Sequence, residues 1–171
     1  MDKGEEKRAP GGLPAEAPLS PEGMRRVLDD PEARRKARFR LTISGGLPSE
    51  VQPFSLDLDG RGQVAVTRFE AAGAAREDTG RVDEAVVLRL LRDLGAAAIA
   101  AATPPRVRIP PDSLVGRLEI SLGGDAQQIV FMADEEQART AGFHLSPPVG
   151  RLIEDLYRIG SEATKTASLK P

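Results

Sequence analysis

Three runs of alternating residues between positions 38 and 67 leave this chain few ways to fold. Phe39, Leu41 and Ile43 alternate with Arg38, Arg40 and Thr42. Phe54, Leu56 and Leu58 alternate with Ser55, Asp57 and Asp59, and Val64 and Val66 alternate with Gln63, Ala65 and Thr67. Successive side chains of a pleated strand point to opposite faces, so each run buries one face and wets the other. Two glycine-bearing corners join the runs. Asp59-Gly60-Arg61-Gly62 is a tight hairpin signal. Ser44-Gly45-Gly46-Leu47-Pro48-Ser49 is a wider loop, because paired glycines permit positive φ and Pro48 has no N–H to give to a ladder. The rest of the chain must then cover the dry face of this sheet.

The downstream pattern supplies the cover. Asp83 can cap a helix from Glu84, in which Val87, Leu90, Leu91 and Leu94 recur at i, i+3, i+4 and i+7. Gly95 is its C-terminal cap, and Pro104-Pro105 is the outer limit. Val107 and Ile109 suggest a short extended segment. Leu118, Ile120 and Leu122 predict a fourth strand, Gly123-Gly124-Asp125 a tight turn, and Gln127 to Met132 a return strand. Ile129-Val130-Phe131-Met132 is apolar on both faces. Ser146-Pro147-Pro148 opens a last helix with the stripe Val149, Leu152, Ile153, Leu156 and Ile159, ended by Gly160. Residues 70–80 read as a loop, and Asp134-Glu135-Glu136 as the charged end of a strand. The expected class is α+β: an antiparallel meander of about 4–6 strands with two helices packed on one face, in the order β-ββ-α-ββ-α.

Three segments follow from composition. Residues 1–37 form an N-terminal extension. Its first twenty residues are polar and rich in Pro, Gly and Ala, and are expected to be disordered. Ser20-Pro21-Glu22 and Asp30-Pro31-Glu32 then read as two short helix starts. Residues 38–160 form the folded domain, and residues 161–171 a flexible tail. With no Trp, five Phe and one Tyr, the core must be largely aliphatic.

The same sequence offers little chemistry. It has no Cys, which excludes disulfides, thiolate metal sites and cysteine nucleophiles. Its one His, His144, has no second imidazole to share a metal with and reads as a loop residue at a helix entry. No nucleophile elbow, Walker A loop or H-E-x-x-H is present. Asp57-x-Asp59-Gly60 resembles the opening of a calcium loop, but Arg68 stands where the bidentate acid belongs and strands flank it, so a hairpin corner accounts for it better. Asp134-Glu135-Glu136 with Asp125 reads as a solubility device before it reads as a cation site. We expect no enzyme, no cofactor and no metal. The charged N-terminus lacks a secretory apolar run and no window spans a bilayer, so a cytoplasmic chain is expected. Net charge is −2. The seven basic residues against three acidic ones from Arg25 to Arg40 read as a solvated helix leading into the domain rather than as a nucleic-acid patch.

Three features together resemble a known family. A strand ends in Ser44-Gly45-Gly46 before an alternating hairpin. A Leu-rich amphipathic helix follows Gly80-Arg81-Val82. Then Pro111-Asp112-Ser113-Leu114 leads into Gly116-Arg117-Leu118-Glu119-Ile120-Ser121-Leu122, a glycine turn, a return strand and Pro148-x-x-x-Leu152-Ile153-x-x-Leu156. Over about residues 38–160 this is similar to the emfourin family of small bacterial proteins, inhibitors of thermolysin-like M4 zinc metalloproteases. The resemblance implies a non-enzymatic protein-binding domain whose partner is such a protease. It makes Ser44, Gly45, Gly46, Leu47, Pro48 and Ser49 the candidate partner-binding residues, with Leu47 as an aliphatic anchor and Pro48 as a stiffener. The alternative is an intracellular adaptor docking through the basic 25–40 segment or through a sheet edge.

Overall fold

The computed structural model describes residues 19–45, 53–69, 74–95, 109 and 112–167. The elements run α1 (Pro21–Asp29), α2 (Pro31–Arg34), β1 (Ala37–Gly45), β2 (Phe54–Asp59), β3 (Gln63–Phe69), β4 (Ala75–Arg81), α3 (Glu84–Gly95), β5 (Leu114–Leu122), β6 (Asp125–Met132), α4 (Glu135–Thr140) and α5 (Pro147–Ala167). The six strands form one sheet, ordered β4-β3-β2-β1-β5-β6, and every pairing is antiparallel. The α+β class and the antiparallel sheet are therefore as the alternation predicts.

Register converts the alternation into rows. Leu41 stands opposite Leu56 on one side and Leu118 on the other, and the row continues to Val66 and Ile129. Phe39 likewise lies between Leu58 and Ile120. These side chains are all buried in one continuous core with the helix stripes. α5 packs over β2, β3 and β4, α1 packs against β5, and α3 lies against both α1 and α5. From α5, Val149, Leu152, Leu156 and Ile159 are buried. Each such side chain contributes roughly 1.5–3 kcal/mol, which holds the helix to the sheet more strongly than its propensity does. Tyr157 adds an edge-to-face contact with Phe54, ring centroids 5.1 Å apart.

The turns follow their residues. Gly62 has φ +82°. Asp59 Oδ1 accepts from the N–H groups of Arg61 and Gln63, each at 2.9 Å, so the Asp57–Gly62 segment is a hairpin corner. Ser20 caps α1 by accepting from Gly23 N, and Asp30 ends α1 and caps α2 by accepting from Glu32 N. Both helices have Pro in their first turn.

Four sequence expectations need correction. Residues 75–81 form β4, not a loop. Arg76, Glu77, Asp78 and Arg81 carry no apolar alternation, and the strand is specified by its ladder to β3 and by α5 packing on it. Asp134 does not merely end β6: its Oδ1 accepts from Gln137 N at 2.8 Å and caps α4. Gly160 does not end the last helix, which continues to Ala167. A Cβ on Gly160 would stand 2.7 Å from Leu56 Cδ1, so this glycine lets α5 approach the sheet. The core also begins before residue 38. Met24 and Val27 of α1 are 7% and 3% exposed, and Ala37 is fully buried. Of the expected extended segment, Ile109 packs on the core, while Val107 lies outside the described residues.

Candidate functional site

One face of the sheet carries the apolar residues that meet the helices, apart from Met132 at the end of β6, which has the other parity and is nevertheless buried. The other presents the opposite parity: Arg38, Arg40, Thr42 and Ser44 from β1, Ser55 and Asp57 from β2, and Arg117, Glu119 and Ser121 from β5. At its centre, register places Arg40 between Asp57 and Glu119. Arg40 Nε donates to Asp57 Oδ1 at 2.8 Å, its Nη1 lies 3.9 Å from Glu119 Oε2, and Gln128 Nε2 donates to Glu119 Oε1 at 3.0 Å. The hydrogen bond that Arg40 gives to Asp57, then the charge of Asp57, raises the Arg40 pKa, and a guanidinium stays charged at every accessible pH. Both partners of the Arg40–Asp57 pair are about half exposed, so it orders the surface and contributes at most ~1 kcal/mol. A shallow depression beside it is lined by Arg38, Arg40, Asp57, Glu119, Ser121 and Gln128.

The corner read from the sequence leaves this sheet at one end of β1. β1 lies between β2 and β5, so the corner departs from a strand held on both sides. Ser44 pairs with Val115 and Gly45 with Leu114. Gly45 has φ +82°, a conformation that costs glycine no Cβ clash, and a Cβ there would lie 3.3 Å from the Ser113 carbonyl oxygen. Both residues are exposed. Gly46, Leu47, Pro48 and Ser49 lie outside the described residues.

One residue at this end was not singled out from the sequence. Phe69 is 47% exposed, and with Tyr157 it is one of two large apolar side chains left in solvent among the described residues. Its N–H donates to the Pro53 carbonyl at 3.5 Å. Continuing the register from Ile43–Phe54–Arg68, Ser44, Pro53 and Phe69 fall in one row across β1, β2 and β3. Two strand spacings put Ser44 and Phe69 roughly 10 Å apart. Val115 extends the row beyond Ser44, and Ala75 extends it beyond Phe69. The rim from which the corner departs is therefore apolar, while the face behind it is polar. The signal was present in the sequence: Phe69 has the parity of Gln63, Ala65 and Thr67, not that of Val64 and Val66.

The other candidates are scattered. Asp125 accepts from Ser20 Oγ at 2.7 Å and from Ser20 N at 3.3 Å, at the opposite end of β6 from Asp134. Among the described residues no three His, Cys, Asp or Glu side chains stand together where a metal ion could be held. His144 is exposed between α4 and α5. In the basic segment, Arg34 donates to the carbonyls of Val27 and Leu28 at the end of α1, Arg35 pairs with Glu32, and Arg40 belongs to the sheet network, so three of its seven cations are spent internally. No helix among the described residues is long and apolar enough to cross a membrane. No protein-family model matches the chain, and a search of curated proteins returns no match.

Proposed function

We propose that the chain is a protein-binding domain that docks through the loop end of its uncovered sheet face, with a thermolysin-like metalloprotease as the partner. The single observation that carries this reading is the apolar rim. Phe69, Pro53 and Val115 flank the point where Ser44 and Gly45 lead into Gly46-Leu47-Pro48-Ser49. A segment that starts from a doubly paired strand loses less entropy on docking, because its base is already fixed. An apolar rim beside it supplies contact area that a polar face does not. Leu47 offers an aliphatic anchor and Pro48 removes a freedom that a protease would exploit.

The purified chain is expected to slow one or more thermolysin-like proteases at micromolar concentration. Leu47→Asp and Phe69→Asp should each weaken inhibition. An aliphatic or aromatic anchor is worth roughly 1.5–3 kcal/mol, so each loss should read as roughly tenfold to a hundredfold in the inhibition constant. Because Phe69 is about half exposed, its substitution should leave the thermal midpoint nearly unchanged. Absence of inhibition across several such proteases would overturn the proposal, as would inhibition indifferent to both substitutions.

A further inference from the structure

On the uncovered face Arg117 differs from Arg40. Arg40 is held by Asp57 and lies 3.9 Å from Glu119. Arg117 is two residues from Glu119 on the same strand, yet that carboxylate is engaged by Arg40 and Gln128. Register sets Arg117 between Thr42 and Val130, with Val115 two residues before it on the same face. Glu77, the one acid in the same row, stands four strand spacings away, roughly 19 Å. Arg117 is exposed and, among the described residues, has no hydrogen-bond or ion-pair partner.

Arg117 also lies close to the corner. It is one strand spacing across and two residues along from Ser44, roughly 8 Å away. A stable protein interface buries about 800 Å² per partner, which is a disc of roughly 16 Å radius. Centred on Ser44, such a disc covers Arg117. Arg40, Asp57 and Glu119 fall near its margin and are already paired. Arg38, six residues back along β1 and roughly 20 Å from Ser44, stays outside. A covered guanidinium loses its hydration and cannot shed its charge, so without an acceptor its burial is costly. The chain supplies no acceptor there, so the partner has to. A carboxylate matches the parallel N–H pair of the guanidinium and cancels its charge.

We infer that Arg117 is the electrostatic contact of the docking surface and that the partner presents a carboxylate to it. The inference rests on the proposed docking through the corner, and it adds the partner's chemistry: an acidic side chain beside the apolar surface that meets Val115. The chain's net charge is −2, so the attraction is local to Arg117 and not a property of the whole molecule.

Inhibition constants and association rates against a panel of thermolysin-like proteases test it, for the wild type, Arg117→Glu, Arg117→Gln and Arg38→Glu. Arg117→Glu sets like charges together and should weaken inhibition roughly a hundredfold or more, and Arg117→Gln roughly tenfold to a hundredfold. Arg38→Glu makes the same charge change outside the interface and should stay within about threefold of the wild type. Added salt should slow association of the wild type and affect Arg117→Gln less. Arg117 has no partner to lose, so thermal midpoints should hardly move. Should Arg117→Glu fail to fold, Arg117→Gln and its salt response decide. Wild-type inhibition that Arg117→Glu leaves unchanged overturns this inference alone, as does equal weakening by Arg38→Glu. A wild type that inhibits no protease of the panel overturns the docking reading and this inference with it.

Discussion

β4 and β6 close the same sheet at opposite ends, yet they solve the edge problem in opposite ways. On β4, Asp78 sits on the core face, 8% exposed and opposite Val66, with Arg76 Nη2 3.3 Å from its Oδ1. An inward-pointing charge is tolerated at an edge, where its partner can reach in from solvent, and it makes addition of another apolar strand unfavourable. β6 keeps Ile129 and Phe131 on the core face, follows them on the same parity with Gln127 and Asp125, and uses that one carboxylate locally, on Ser20. Charge on an edge protects it but erases the alternation by which a strand is recognised. An edge that keeps its pattern is easier to read and easier to extend.

The comparison breaks most visibly where β6 is anchored. Phe131 stands opposite Gly116, and a Cβ on that glycine would lie 2.1 Å from the Phe131 ring. The ring fills the space that the glycine leaves. Phe131→Ala should cost about 3–5 kcal/mol, and Gly116→Ala about 1–3 kcal/mol through overpacking. Because the two residues touch, the double variant should cost less than the sum. Urea denaturation of the three variants measures this. Additive costs would show that the glycine and the ring do not share one space.

A smaller effect is expected at the other end of β6. The Ser20 hydroxyl accepts from Gly23 N and donates to Asp125 Oδ2, so a single side chain both caps α1 and ties it to the sheet. Asp125→Ala removes a charge-assisted hydrogen bond at a half-buried site and should cost about 1 kcal/mol. The loss should appear as faster amide exchange within α1, with β1 and β5 little changed. Uniform loss of protection across the domain would show instead that α1 and the sheet open as one unit.

Much of the fold was legible because alternation and helical periodicity both report burial. Phe39, Leu41, Ile43, Leu56, Leu58, Leu118 and Ile120 are buried on one face, as their spacing requires. What escaped was specified by partners and not by pattern. β4 exists through its pairing with β3, and α4 is a short helix with no buried residue, started by one capping aspartate. Gly160 looked like a stop, since sequence alone does not separate a capping glycine from one that makes room for Leu56. The candidate site was half legible. Ser44 and Gly45 lie where the corner was expected, but Phe69 joins them only through register across two strand pairs.

The finest test of the two edges is to make β4 resemble β6. Asp78→Val replaces the inward carboxylate with an apolar side chain beside Val66. The residual partner, Arg76, is about half exposed and returns to solvent, so no buried charge is stranded. Stability should change by no more than ~1 kcal/mol, because the exchange removes a partly solvated ion pair and adds apolar burial. The expected consequence lies in association. The variant should gain concentration-dependent assembly that the wild-type chain lacks. If the variant stays monomeric, then α5, which packs against β4, already screens that edge and Asp78 is not its guard. If it assembles, one carboxylate separates a closed edge from an open one.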